Sequence, residues 1–139
     1  MAKTLQCIVV TPERKALDQA ADFVALPLYD GEIGIGPDHA PLIGRLGFGE
    51  MRLRQGGTVS RYYVDGGFVQ VVKNQVTVLT AQAVPAAEVD AAAAQAQLDE
   101  ARNQRVPTDE QRQVRDRTVA QARGRLRVAR RLRRGDERS

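Results

Sequence analysis

A chain of 139 residues, 42% hydrophobic and 27% charged, is long enough for one good core with an appendage, or for two very small domains. Its net charge of +4 lies in the last third, because residues 1–85 balance eight Lys/Arg with eight Asp/Glu whereas residues 86–139 carry thirteen Arg against nine acids. A single cysteine argues against a disulfide framework, and with a single histidine it also argues against a metal cage. No apolar run approaches the roughly 18 residues of a bilayer span, which argues against a membrane helix. The N-terminus has no hydrophobic signal core, which argues against export.

The first 80 residues are predicted to form short β-strands. Apolar and polar side chains alternate over residues 5–9, residues 23–28 are rich in β-formers, and residues 51–54 alternate apolar with cationic side chains. Residues 58–64 and 75–80 are further strands. Turns are predicted at Tyr29-Asp30-Gly31, Gln55-Gly56-Gly57 and Asp65-Gly66-Gly67. This spacing of strands predicts a compact sandwich or barrel.

The composition changes abruptly near Pro85. Residues 86–105 contain no glycine and a dense cluster of alanines, which predicts a helix. Val106-Pro107 interrupts that helix, because proline disfavours helical geometry in the residue before it. Thr108 and Gln111 then have the spacing of a capping box. The second helix is predicted to run to about Arg134 and to end at Gly135.

The predicted fold class is therefore α+β, with an N-terminal β-sandwich over residues 1–85 and a C-terminal antiparallel two-helix hairpin over residues 86–139. The facing apolar stripes of the hairpin are Ala94, Leu98 and Ala101 on the first helix, and Val119, Ala122, Leu126, Ala129 and Leu132 on the second. Alanine buries little area, and at about 25 cal/mol per Å² such stripes contribute few kilocalories. We expect the hairpin to be weakly held and able to move.

Residues for catalysis are scarce. Cys7 lies on the apolar side of an alternating strand, where a buried structural thiol is the usual outcome, and His39 has no clear catalytic partner. The glycines Gly31, Gly34 and Gly36 match neither a P-loop nor a dinucleotide-binding motif. No catalytic, metal-binding or cofactor-binding residue is predicted.

The most unusual segment is residues 29–42, in which two prolines and three glycines fix an irregular backbone. One interpretation is an ordered connecting loop in which His39 is hydrogen-bonded locally. The other is a contact surface presented by the scaffold, since binding residues concentrate on loops.

This segment resembles a known signature. Asp30-Gly31-Glu32-Ile33-Gly34-Ile35, followed by Pro37, His39, Ala40, Pro41 and Leu42, is similar to the corresponding segment of the epsilon subunits of F-type ATP synthases, called delta in mitochondria. The resemblance extends to the strand from Leu5 to Thr11, to Gly66-Gly67-Phe68-Val69, to residues 74–79 and to the break into an alanine-rich hairpin.

The resemblance implies a ten-stranded β-sandwich with two helices, in a non-catalytic subunit at the foot of the rotating central stalk. The sandwich of that family binds the gamma subunit and the c-ring, and it transmits torque between proton flow and ATP synthesis. Such a subunit is peripheral to the cytoplasmic face of the bacterial inner membrane and does not act as a homo-oligomer. The implied contact loop consists of Asp30, Gly31, Glu32, His39, Ala40, Pro41 and Leu42.

The resemblance also implies that the hairpin extends and inhibits ATP hydrolysis through acidic segments of the alpha/beta catalytic subunits. Four arginines follow one line of the second helix: Arg123, Arg127, Arg130 and Arg134. Like charges at this spacing destabilise an isolated helix by about 0.2–0.5 kcal/mol per pair, and an acidic surface reverses the sign. A solvated face of an amphipathic helix is the alternative interpretation.

Two departures from the family pattern and two rival hypotheses remain, and one of these rivals is a free-standing enzyme, which requires a pocket that includes His39. Where some relatives bind ATP through Ile/Leu-Asp-x-x-Arg-Ala, this chain has Val89-Asp90-Ala91-Ala92-Ala93-Ala94, so Ala93 replaces the arginine and tight ATP binding is not expected. Gly36 replaces a residue that is commonly bulkier, which predicts a slightly looser loop. The other rival hypothesis is a nucleic-acid-binding module that uses the basic helix on phosphates.

Overall fold

The computed structural model describes the backbone of residues 3–138 and the side chains of residues 3–131. In this range, eight strands and a 3-10 turn at Ala86–Glu88 precede two helices. The strands are β1 (Leu5–Val10), β2 (Lys15–Ala21), β3 (Phe23–Leu28), β4 (Gly31–Ile35), β5 (Leu42–Gln55), β6 (Thr58–Val72), β7 (Gln75–Leu79) and β8 (Ala83–Pro85), and the helices are α1 (Ala91–Asn103) and α2 (Asp109–Arg138). Neither helix, as described, has an apolar stretch long and pure enough to cross a bilayer.

The strands follow the order β2-β1-β7-β6-β5-β3-β4, with β8 paired to β6. The pair β1–β7 is parallel and the others are antiparallel. The long strands β5 and β6 serve both layers. Residues 42–46 of β5 pair with residues 67–71 of β6, and residues 68–72 of β6 pair with β7. Residues 52–54 of β5 pair with β3, and residues 62–64 of β6 pair with β8. Alternating side chains from both layers fill one core, which includes Leu5, Val9, Leu26, Met51, Val71 and Val78.

The predicted turn at Asp65-Gly66-Gly67 is wrong, because β6 continues through it. Gly66 and Gly67 have φ values of 68° and 103°, which bend the strand where it passes between the layers. A Cβ on Gly67 would lie 1.8 Å from the carbonyl oxygen of Leu79, so only glycine fits. The continuity of β5 and β6 also explains why the described residues form eight strands rather than ten.

The two-helix hairpin is confirmed, with corrections at its ends. The helix predicted from residue 86 begins at Ala91, because Asp90 adopts an extended conformation and its side chain accepts a hydrogen bond from the Ala93 amide. The capping box of α2 is confirmed: the Gln111 amide donates to Thr108 Oγ1 at 3.1 Å, and the Thr108 amide donates to Gln111 Oε1 at 3.4 Å. Gly135 does not end α2, since one helical glycine costs only about 1 kcal/mol.

The apolar stripes also pack as predicted. Ala94 and Leu98 contact Ala122 and Leu126, with Val119 at the margin. Ala101 is buried and Ala129 is half-buried, while the side chain of Leu132 lies outside the described residues.

Candidate functional site: the foot loop, an outer row and a docked hairpin

The loop between β4 and β5 is fastened by Asp38. Its carboxylate accepts a hydrogen bond from Lys3 Nζ at 2.7 Å and from Asn74 Nδ2 at 3.2 Å, while its amide donates to Asn74 Oδ1 at 2.6 Å. Lys3, followed by Asn74, holds the pKa of the Asp38 carboxyl below its usual value. We call residues 36–43 the foot loop. It is anchored to the chain start and to the β6–β7 turn, so the looseness expected from Gly36 is countered by these contacts.

Four of the seven predicted contact residues lie in the foot loop. His39 is half-buried and its Nδ1 donates to the Ala40 carbonyl at 2.7 Å, which is the local hydrogen bond considered for it. Ala40 and Pro41 are exposed, and Leu42 starts β5 and packs against the core. Ile43 is the apolar residue that the prediction missed, and it is 77% exposed.

The other half of the predicted motif is held by a different set of contacts. Asp30 is exposed in the β3–β4 turn and Gly31 begins β4. Glu32 accepts a hydrogen bond from Arg52 Nη2 at 2.9 Å, and the pKa of Arg52 is raised, chiefly by Glu32. The motif therefore provides two separately fixed surfaces, one at Glu32 and one at His39.

The outer face of the sheet carries an apolar row that the prediction also missed. We call Tyr29, Arg45, Phe68 and Leu79 the outer row. Arg45 pairs with Phe68 and Phe68 with Leu79 across the strands, and the Arg45 guanidinium lies 4.8 Å from the centre of the Tyr29 ring. Tyr29, Phe68 and Leu79 are 70%, 56% and 50% exposed. Alternation with buried Val69 and Val78 marks Phe68 and Leu79 as outward-facing.

Helix α2 is docked on the sandwich through a small apolar contact. Val128 is buried against Tyr63 and Ala86, with Phe48 at the edge. Gly124 permits the close approach: a Cβ there would lie 2.7 Å from the Phe48 carbonyl oxygen and 3.0 Å from its carbon. This sandwich-facing side of α2 is distinct from the stripe that faces α1.

Two buried carboxylates of the sandwich face α2. Glu50, whose side chain is 2% exposed, pairs through Oε1 with Arg52, Arg61 and, at 3.6 Å, with Arg131 of α2. Its Oε2 is buried without a hydrogen-bond partner among the described residues. Asp65 accepts a hydrogen bond from the Tyr63 hydroxyl at 2.6 Å and from Gln121 of α2 at 3.3 Å. Burial, followed by Asp65, raises the pKa of Tyr63.

Docking places two of the four arginines of the predicted line against the sandwich. Arg123 and Arg127 line a groove between α2 and the sheet, and Arg127 Nη2 donates to the Phe48 carbonyl at 3.3 Å. Arg130 is exposed, and the side chain of Arg134 lies outside the described residues.

The candidate catalytic residues are not assembled into an active centre in the part of the chain that is described. Cys7 lies fully buried in the core, and burial raises the pKa of its thiol to about 12. The described side chains, those of residues 3–131, include no cluster of three His, Cys, Asp or Glu placed to hold a metal ion. At the position of the ATP motif, Asp90 caps α1 and Ala93 is exposed beside a small cavity of about 220 Å³.

A β-sandwich with a fastened loop, an exposed apolar row and a docked basic hairpin defines a protein that works through contacts with other proteins. The family model described as ATP synthase, Delta/Epsilon chain, beta-sandwich domain matches residues 4–86. The chain belongs to this family, and is thus a non-catalytic subunit of the Delta/Epsilon type in an ATP synthase.

Individual relatives agree with the family. The chain is 49% identical over 127 residues to the ATP synthase epsilon chain of Rhodopirellula baltica, covering 91% of this chain and 99% of the relative. Its fold matches a chain in the Euglena gracilis mitochondrial ATP synthase OSCP/F1/c-ring structure, with a TM-score of 0.79 at 22% identity over 87% of this chain and 78% of that one. A chain in the Tetrahymena thermophila central stalk/c-ring structure gives a TM-score of 0.72 at 16% identity, over 91% and 97%. The predicted family is confirmed, and the relatives give no support to the nucleic-acid hypothesis.

Proposed function

We propose that this subunit stands at the foot of the central stalk, where its sandwich binds the gamma subunit and the c-ring and keeps rotation coupled to ATP synthesis. The observation that carries the proposal is the division of the molecule into a sandwich with its own core and fastened outer surfaces, and a hairpin docked on it through a small apolar contact and side-chain polar contacts. The assembly would place the chain on the cytoplasmic face of the bacterial inner membrane. The names of the two structural relatives include the c-ring, which supports the placement.

The foot loop and the β3–β4 turn are the proposed contacts with the c-ring. A surface that transmits torque must not yield, and Asp38 ties the foot loop to Lys3 and Asn74 in the main body. The exposed Ile43 adds apolar area beside the proposed contacts of His39, Ala40 and Pro41. Glu32, Asp30 and Gly31 provide the second patch, which Arg52 holds in place.

The outer row is the proposed contact with gamma. Three large apolar side chains that are half or more exposed form one row, and contiguous apolar exposure marks interaction surfaces. The Arg45–Tyr29 stack keeps the row ordered before a partner arrives.

The hairpin is the proposed inhibitory element. Release of α2 requires the loss of the Val128 contact and of the polar contacts that Gln121 and Arg131 make with the sandwich. Arg123, Arg127, Arg130 and Arg134 would then be available together to an acidic surface of the alpha/beta subunits, where they would oppose hydrolysis.

The test is removal of residues 89–139. The shortened chain keeps Ala86, which covers Tyr63, so the sandwich should fold and assemble with the stalk. Measured in the reconstituted enzyme, ATP-driven proton pumping should persist while ATP hydrolysis rises. Failure of the shortened chain to assemble, with its fold intact by circular dichroism, would contradict the proposed division of labour.

A further inference from the structure

An open groove of about 1220 Å³ lies between α2 and the sheet, beside the docking contact. Its sheet wall includes Tyr29, Arg45 and Phe68, and its helix wall includes Arg117, Arg123 and Arg127. The β5 and β6 segments between the walls contribute four glycines, so the floor is largely backbone. The groove exists because α2 is docked, since each domain supplies one wall.

The charge of the groove is unbalanced. Five arginines and two glutamates line it, and both glutamates, Glu32 and Glu50, are already paired with Arg52. The cations that face the groove from the helix side therefore exceed the carboxylates available to them. A ligand that brings carboxylates would replace repulsion between arginines with ion pairs.

The dimensions of the groove favour a protein segment over a small molecule. Its helix wall extends from Arg117 to Arg131, which corresponds to about 21 Å at 1.5 Å per residue. Pockets for small ligands are typically enclosed and measure about 300–1,000 Å³, whereas this groove is wider and open along its length. The exposed rings of Tyr29 and Phe68 provide an apolar strip opposite the arginines.

We propose that this groove binds an acidic amphipathic helix of the same partner that covers the outer row, which rests on the proposed gamma contact there, and that it does so only while α2 is docked. The apolar face of the bound helix packs on Tyr29 and Phe68, and its carboxylates meet Arg117 and Arg123. Such a helix matches both walls at once, which is the usual manner of helix-in-groove recognition. A free polyanion would match the arginines but leave the two rings uncovered.

The proposal has a regulatory consequence, which rests on the proposed inhibitory role of the hairpin. Arg123 and Arg127 line the groove and also belong to the set predicted to contact the catalytic subunits. An acidic helix in the groove therefore holds these side chains on the sandwich side. Two acidic partners then have opposite effects on the hairpin. The acidic helix in the groove stabilises the docked state, and the acidic surface of the alpha/beta subunits stabilises the extended state.

The test uses the full-length chain and a fluorescent helical peptide of about 15 residues, with Glu on one face and Leu on the other, followed by anisotropy. Removing two partly exposed ion pairs in R117A/R123A should weaken binding about threefold to tenfold. The matched control is R112A/R130A, which removes two exposed arginines of the same helix that do not line the groove. F68S should weaken binding as well, whereas V114S, at an exposed valine away from the groove, should not.

Three further arms decide the nature of the ligand. A peptide with Gln in place of Glu should bind weakly, and G124A, which is expected to displace α2, should lose most of the binding. No binding of the acidic peptide, or equal weakening by both double variants, would overturn the proposal. Full competition by tripolyphosphate or by a short single-stranded DNA at equal charge would also overturn it, in favour of a simple polyanion site. The proposed stalk role is judged separately, by assembly and hydrolysis of the truncated chain.

Discussion

Gly124→Ala should displace the hairpin without harming either domain. The added Cβ would lie 2.7 Å from the Phe48 carbonyl oxygen, and because this is a backbone atom in a central strand it cannot simply rotate away. Alanine favours a helix by about 1 kcal/mol over glycine, but that gain applies whether α2 is docked or released. The gain in helix propensity therefore does not offset the steric conflict with Phe48, and the net effect of the substitution is to weaken docking.

The magnitude follows from what the displaced helix loses. Full burial of a valine side chain is worth about 1.5–3 kcal/mol, and Val128 supplies the buried apolar contact of α2 with Tyr63 and Ala86. Losing most of this contact weakens docking by about 2 kcal/mol, which is about 30-fold in the ratio of docked to released hairpin.

The assay is thiol labelling at V128C, whose thiol is buried when α2 is docked. The natural Cys7 does not interfere, because it is buried in the core and its pKa is raised to about 12. G124A/V128C should react about 30-fold faster than V128C, whereas G57A/V128C, with open space around the added methyl, should react at the V128C rate. A G124A/V128C rate within twofold of V128C, with helicity unchanged, would refute the reasoning.

The remaining predictions concern the arginines, the foot loop and the core thiol. Replacing Arg123, Arg127, Arg130 and Arg134 by alanine should raise ATP hydrolysis and leave synthesis largely intact; unchanged inhibition would remove the electrostatic argument. Because the pKa of Asp38 is lowered in the folded state, its contacts should be present at neutral pH and lost as the pH falls below about 4, with D38N showing no such transition in its Asn74 amide signals. Native Cys7 should resist iodoacetamide at pH 8 and react once the chain is unfolded; stoichiometric labelling of the native protein would contradict its burial.

Local patterns in the sequence were sufficient for much of the fold. Alternation predicted the strand around Cys7, and the run of residues 75–80 predicted the strand around Val78. The capping box at Thr108 defined the start of α2, and the three- and four-residue spacing of Ala122 and Leu126 predicted the stripe against α1. Each of these features depends on residues that are close together in the chain, where geometry is set by helix and strand periodicity.

The docking side of α2 could not be predicted in this way. Gly124 stands in a run of arginines, and its meaning depends on the main chain of Phe48 in another domain. Glu50 belongs to the polar side of its strand, with Arg52, and local alternation predicts that it is exposed. It is buried because α2 covers that part of the sheet, and only the tertiary contact reveals this.

The surfaces of the candidate site were predicted unequally. The motif at Glu32 and His39 was found from sequence, but its anchoring by Lys3 and Asn74 depends on contacts across 35 and 36 positions of the chain. The outer row was missed because an exposed Phe68 and an exposed Leu79 become a surface only when two strands place them side by side.

The central claim, that the hairpin can leave a sandwich that stays folded, is tested most directly by amide hydrogen exchange on the full-length chain, alone and within the assembled ATP synthase. The account predicts that α1 and α2 exchange faster than β5 and β6 in the isolated protein, and that their protection changes on assembly while that of the strands does not. Helices as strongly protected as the strands, in both the isolated protein and the enzyme, would contradict it.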